Sequence, residues 1–320
     1  MTDFSKQTFT VFHIRKTKKQ KTRFIEHVLQ FAKQNGLNAR VEKGSFGVRN
    51  LVVGDPDRAK VIFTAHYDTC PVLPFPNFIT PKNIVIYLLY QLLLVGVILA
   101  AVALVGTALG FGAGVFLGLL GQAENEALVS ALISVLSLVS YLSIFLLLLA
   151  GPANRHTAND NTSGVITLLE ILQALPEERR EEVCVVFFDL EEMGLFGSSA
   201  FASKHKKTMK NKLLINFDCV SDGDRMLLVL RKGAKKYLPL LKESFTDSDA
   251  VRVEICEKGV FYPSDQMNFP CGVGVASLKY SKLLRTEYMN RIHTPRDVIF
   301  REENIHCLTQ SSLALVELLV

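Results

Sequence analysis

One block of this sequence decides what the rest can fold into. From Asn83 to Gly121 no residue carries a charge, and Ala127 to Ala150 is again apolar and uncharged. Only the short acidic stretch Gln122 to Glu126 separates them. A membrane span needs about 20 consecutive apolar residues. The second stretch fits one span. The first fits a span to about Val105 with a glycine-rich continuation, TALGFGAGVFLGLLG. A buried core helix is the weaker alternative, because a core helix of this length normally keeps a charged face. Gly110 and Gly114 make a GxxxG, a weak cue for helix packing. Residues 83–150 are therefore expected to form an inserted transmembrane helical hairpin. Residues 1–82 and 151–320 are expected to form one discontinuous domain.

Setting the block aside leaves about 250 residues, enough for one α/β core. Helical spacing of apolar residues predicts a helix over Thr22–Asn35, with Gly36 as its C-terminal cap. Strands are predicted at 38–42, 48–53, 60–65, 183–190, 212–218, 225–230 and 273–278. Helices are predicted at 164–175, 198–206, 235–243 and 302–318. Strands alternating with helices argue for a doubly wound, mixed but mostly parallel sheet with helices on both faces.

The formal net charge is +5. Basic clusters at Lys16–Arg23 and Lys204–Lys210 read as solvated faces, so no nucleic-acid partner is expected. Six cysteines, Cys70, Cys184, Cys219, Cys256, Cys271 and Cys307, form no CxxC pair. They read as scattered reduced thiols, with no thiolate zinc site expected. The opening residues MTDFSKQTFTVFHIRK lack the apolar core of a secretory signal.

Acidic and histidine residues collect at the ends of predicted strands, where open α/β sheets bind ligands. KVIFTA ends on His66 and Asp68; VCVVFFDL on Glu191 and Glu192; KLLINF on Asp218. RHTANDNTSG places Asp160 before a helix, and NRIHTPRD supplies His293 and Asp297. Taken singly, these are a polar loop histidine, a solvated helix start and a helix cap. Jointly, two imidazoles and several carboxylates on consecutive strand ends form a zinc-type donor set.

The ordered motifs AHYD (65–68), ANDNTSG (158–164), DLEEMGLFGS (189–198), INFD (215–218) and IHTPRD (292–297) resemble those of the co-catalytic di-zinc aminopeptidases, a family that includes glutaminyl cyclases. The likeness covers essentially all the sequence outside the apolar block. His66 and Asp160 lie farther apart than in that family, and the inserted block accounts for the excess. Because the two halves must meet on one side of a bilayer, the number of spans is even, and two is the simplest. Lys82 and Arg155 flank the block, whereas its loop carries Glu124 and Glu126. The positive-inside rule then puts the catalytic domain in the cytoplasm, under the plasma or inner membrane.

The resemblance implies two zinc ions, one on His66 and Asp218, the other on Glu192 and His293, with Asp160 bridging. It implies a cis Asp160–Asn161 bond and Glu191 as the general base toward a metal-activated water. Asp68 is expected to hold the far nitrogen of His66, and Asp297 that of His293. Tyr262, in FYPSDQMNF, reads equally as an oxyanion partner or a structural tyrosine. Gln266 stands where the family motif SDH has histidine, a departure that bears on specificity. The expected activity is hydrolysis of short peptides at their N-terminus. The alternatives are a glutaminyl-cyclase-like acyltransferase, disfavoured by the absence of tryptophan, and a non-catalytic membrane scaffold, disfavoured because every expected residue is present. The hairpin is expected to anchor the chain in lipid; its further role, as a guide for lipid-proximal substrates or as a surface for a partner or second copy, stays open in the sequence.

Overall fold

The computed structural model describes residues 1–121 and 125–319. Glu124, used above to orient the loop, lies outside the described residues. The chain divides into two compact units, one of residues 1–84 and 153–320, the other of residues 85–152.

In the first unit the strands are β1 (Ala39–Lys43), β2 (Arg49–Val53), β3 (Val61–His66), β4 (Val183–Phe188), β5 (Leu213–Phe217), β6 (Arg225–Leu230), β7 (Arg252–Cys256), β8 (Gly272–Ser281) and β9 (Thr286–Tyr288). They form one sheet in the order β1-β2-β4-β3-β5-β8-β6-β7, with β9 on β8. The centre is parallel: β4, β3, β5 and β8 run side by side. The flanks are not. β1–β2, β2–β4, β6–β8 and β8–β9 are antiparallel, while β6–β7 is parallel. The mostly parallel sheet expected from the alternation is thus an evenly mixed one. Short connections such as the turn joining β1 to β2 can only reverse the chain, whereas a parallel pair needs a crossover.

The central strands read as unbroken apolar runs because both faces are covered. Val61, Phe63 and Ala65 of β3, Val185 and Phe187 of β4, and Leu213, Ile215 and Phe217 of β5 enter one core. The alternating Ile62, Cys184, Val186, Phe188 and Leu214 enter the other. The helices of this unit and the next are α1 (Asp3–Val11), α2 (Lys18–Gln34), α3 (Ile84–Leu119), α4 (Glu126–Ala150), α5 (Gly164–Ala174), α6 (Phe196–Lys204), α7 (Lys206–Met209), α8 (Leu238–Ser244) and α9 (Glu302–Leu318). The first core is closed by Phe24, Val28 and Phe31 of α2, Val165 and Leu168 of α5 and Leu308 and Leu315 of α9. The second is closed by Phe201 of α6 and Met209 of α7. Helix α1 and strands β7 and β9 were not anticipated. Each is short, and α1 shows only a few scattered apolar residues in DFSKQTFTV.

β3 leads on to β4 at one side of it, and β4 leads back across β3 to β5, so the connections leaving these two neighbouring strands run in opposite directions. The crevice at the carboxyl ends of β3, β4 and β5 is where such sheets bind ligands.

The second unit is the helical pair α3 and α4. Both are long and apolar enough to cross a membrane, and almost none of either is buried. α3 is one unbroken helix of 36 residues, about 54 Å long at 1.5 Å per residue. That exceeds a hydrocarbon core of about 30 Å. Gly106 and Gly110 are where α3 meets α4: an added Cβ would lie 3.2 Å from Ser137 Oγ and 3.4 Å from Ile133 Cγ1, respectively. Gly114, the partner suggested by the sequence, faces open space.

Candidate metal centre

Every donor singled out in the sequence reaches one place. His66 closes β3. Asp68 follows it, Glu191 and Glu192 follow β4, and Asp218 follows β5. Asp160 lies in the irregular turn Ala158–Ser163 ahead of α5, behind a cis Asp160–Asn161 peptide bond. His293 comes from the loop between β9 and α9.

The geometry centres on Asp160. Its Oδ1 is 3.3 Å from His66 Nε2, and its Oδ2 is 2.9 Å from His293 Nε2. His66 Nε2 is also 3.4 Å from Asp218 Oδ1, and His293 Nε2 is 3.3 Å from Glu192 Oε2. Donor atoms of His66, Asp160 and Asp218 lie within 4.8 Å of one another, as do those of His66, Glu191 and Glu192. A third group within the same limit joins Asp160, Glu192 and His293 to the thiol of Cys70. His66 Nδ1 lies 3.1 Å from the backbone carbonyl of Asp68, which can only accept. Nδ1 therefore carries a proton, which leaves Nε2 as the ring atom that faces the carboxylates.

The local sequence explains this arrangement. Asn161 donates to the Phe217 carbonyl at 2.9 Å and accepts from Gly164 and Cys219 N–H, stapling the Asp160 turn to the end of β5. Gly164 is required there, because a Cβ would lie 2.3 Å from the Phe217 carbonyl oxygen. Leu190, Cys219 and His293, each a donor or next to one, hold φ of 55°, 58° and 63°. Such left-handed non-glycine backbone costs about 1–3 kcal/mol each and clusters at functional sites.

The supporting carboxylates do more than expected in one case and differently in the other. The Asp68 carboxylate stands 3.6 Å from His66 Nδ1, an ion-pair distance, and its oxygens also accept the backbone N–H groups of Glu191 and Glu192 at 3.0 and 3.3 Å. Asp297 does not hold His293. It accepts from the N–H groups of Asn159 and Asp160 at 2.7 and 3.0 Å. Both carboxylates thus orient donors through the main chain, because the donor-bearing loops start with unpaired N–H groups. Tyr262 is buried, and its hydroxyl donates to the Asp218 carbonyl at 3.0 Å.

Three further residues escaped the sequence reading. Arg15 is fully buried: its Nε donates to the Tyr67 carbonyl, and its NH1 donates to the Phe12 carbonyl at 2.7 Å. Burial pulls its pKa down to about 10 against the opposing pull of Asp68 and Asp160. Lys21, assigned above to a solvated face, is buried 2.6 Å from Asp189 Oδ1. Asp265 is fully buried, and neither carboxylate oxygen has a hydrogen-bond partner. Nothing local in FHIRK marks Arg15; Asp265 is the aspartate of the SDH-like stretch Ser264–Gln266, but only the tertiary contacts show that it is buried beside the site.

Burial, together with crowding by charged neighbours, shifts several groups of this cluster. Burial, then the neighbouring carboxylates, pushes Glu192 up to about 8, and burial drives Glu191 well above its usual range. Burial and nearby carboxylates likewise lift Asp265 to about 7. Burial opposes the charged form of both histidines, but Glu191 on one side and Glu192 on the other outweigh it: His66 rises well above the usual imidazole range, and His293 to about 9. Glu192 Oε1 is buried with no hydrogen-bond partner. A buried cluster of carboxylates and imidazoles with one oxygen left unpaired is the chemistry that a divalent cation satisfies.

Comparison with known proteins agrees in fold. LapA aminopeptidase from Legionella pneumophila superposes with a TM-score of 0.56 at 13% identity, over 99% of this chain and 69% of that one. LapB from the same organism gives 0.54 at 14% identity, over 98% and 69%. Fimbriiglobus ruber glutaminyl cyclase gives 0.52 at 14% identity, over 98% and 93%. No curated protein sequence matches the chain. The sequence profile described as Peptidase family M28 matches residues 144–314, which carry Asp160, Glu191, Glu192, Asp218, Tyr262 and His293. With more than half of its length in that profile and a sheet of the same fold, the chain belongs to peptidase family M28.

Proposed function

We propose that the protein is a membrane-anchored, zinc-dependent exopeptidase of the aminopeptidase type, acting on short peptides. The observation that carries this reading is the sharing of Asp160, whose two carboxylate oxygens face different imidazoles, each beside a further carboxylate. Nitrogen and oxygen donors in this number suit zinc, and also cobalt or manganese. His66 and Asp218 would hold one ion, Glu192 and His293 the second, and Asp160 both. When bound, two such ions lower the pKa of water and polarise a carbonyl.

The chain's own residues supply the rest. Glu191, buried beside His66 and Glu192, accepts the proton of the attacking water at a carboxylate oxygen. It then gives that proton to the leaving amine. The Asp68 carboxylate holds the Glu191 and Glu192 backbone in place. The Tyr262 hydroxyl, tied to the Asp218 carbonyl, positions the end of β5, which favours its structural role over the oxyanion role.

Two apolar helices support the anchoring in a bilayer, and Lys82 and Arg155 beside them favour a cytoplasmic peptidase unit. The test is a panel of aminoacyl, dipeptide and N-terminal glutaminyl substrates, assayed with and without chelator. Aminoacyl hydrolysis that stops on chelation and returns with zinc is expected. Activity that survives chelation would sink the reading, and cyclisation of glutaminyl peptides without hydrolysis would favour the cyclase.

A further inference from the structure

We infer that Cys70 supplies a sulfur donor to the metal position formed by Asp160, Glu192 and His293, so that the two positions of this centre differ in chemistry. The inference deepens the proposed function and rests on it.

The thiol of Cys70 lies within 4.8 Å of donor atoms of all three residues. It is not a cysteine filling apolar space. Cys184 and Cys219 pack into hydrophobic clusters, whereas Cys70 is 1% exposed and, among the described residues, belongs to none. The loop that carries it is tied to the other donor loops. Its backbone carbonyl accepts from Asn154 N–H at 3.1 Å, and Leu73 N–H donates to the His293 carbonyl at 2.8 Å. Asn154 in turn donates through its side chain to the Thr294 carbonyl at 3.2 Å. Cys70 is thus held against His293 by main-chain bonds rather than by chance packing. A second observation points to a ligand at the same spot: Glu192 Oε1 is buried there without any hydrogen-bond partner.

Sulfur, imidazole and two carboxylates make a four-donor set that favours zinc, since a thiolate is a soft ligand. The His66–Asp160–Asp218 position has only nitrogen and oxygen donors and exchanges more readily with cobalt or manganese. Ligation forms a metal–sulfur bond and breaks the S–H bond, the proton leaving to solvent.

The full chain in detergent micelles, stripped by chelator and reloaded with cobalt(II) alone, is expected to show a near-ultraviolet sulfur-to-cobalt charge-transfer band. Cys70→Ser should lose the band and bind zinc at least about tenfold more weakly at one position, the lower end of what losing even an outer-layer partner costs. Cys307→Ser should keep both. X-ray absorption of the zinc-loaded wild type needs no variant and should show sulfur at about 2.3 Å. A zinc shell of nitrogen and oxygen alone, or a band that persists in Cys70→Ser, overturns the assignment while leaving the di-metal reading intact. A chain that binds no metal overturns both.

Discussion

The two units of this chain treat charge in opposite ways. In the first, charged groups are taken inside: Arg15, Lys21, His66, Asp160, Asp189 and Asp218 are all buried. In the second, the apolar residues face outward: Leu92, Leu104 and Phe111 are 68%, 72% and 77% exposed. A charge leaves water at tolerable cost only when it is paired, hydrogen-bonded or bound to a metal. An apolar exterior of this extent is stable only where the surroundings are apolar too. One rule, applied with many partners and with none, produces both a dry donor cluster and a lipid-type surface.

The comparison breaks most visibly at Asp160. Asp160→Asn should take metal content below one ion per chain and abolish peptide hydrolysis, with folding retained by circular dichroism. Full metal content would refute its shared position. Glu191→Gln should instead keep both metals and lower kcat by about 10²–10⁴-fold, the usual worth of a positioned acid–base group. A rate within a few-fold of wild type would remove Glu191 from the chemistry.

Charge can also be misplaced in each unit. Lys21→Met strands Asp189, whose Oδ2 still accepts from Arg49 N–H. Breaking a buried pair from one side costs about 3–5 kcal/mol, which thermal or denaturant unfolding of the detergent-solubilised chain would report. Val95→Lys places a charge at the middle of the 84–105 stretch of α3 and should cost about 2.5–3.5 kcal/mol of membrane insertion. A glycosylation-reporter insertion assay reads that cost, and unchanged insertion would argue against a lipid-facing α3.

The smallest effect sharpens the rule within the first unit. His27 is sandwiched by Phe4 and Phe12 at centroid distances of 4.1 and 4.2 Å. Burial lowers its pKa to about 4. The folded state therefore favours the neutral ring. Its contribution is fully present above the unfolded value of about 6.5 and is lost as pH falls toward about 4. His27→Gln should flatten that part of the stability-versus-pH curve, and an unchanged slope would refute the assignment.

Much of the site was legible because ligand chemistry leaves local marks. His66 and Asp68 end an apolar strand, Glu191 and Glu192 another, and Asp218 a third, and strand ends are visible in hydropathy alone. The parallel centre of the sheet was legible for the same reason: VIFTAH, VCVVFF and LLINF are apolar on both faces. β7 and β9 were not, because RVEIC and TEY are short and half-polar. Arg15 carried no mark, since its meaning lies in what packs against it, and Asp265 was marked only as part of the SDH-like stretch that ends at Gln266.

By itself the sequence determined which segments leave water. An uncharged run of this length is long and apolar enough to cross a membrane, and the alternation of buried strands with amphipathic helices admits few architectures. The tertiary structure alone decided which charges meet. Cys70, Asp160, Glu192 and His293 come from four separate stretches of chain, and main-chain and side-chain hydrogen bonds between their loops hold the donor atoms within 4.8 Å. Side-chain convergence across such sequence distances depends on how loops close over a sheet edge, and no local pattern encodes that closure.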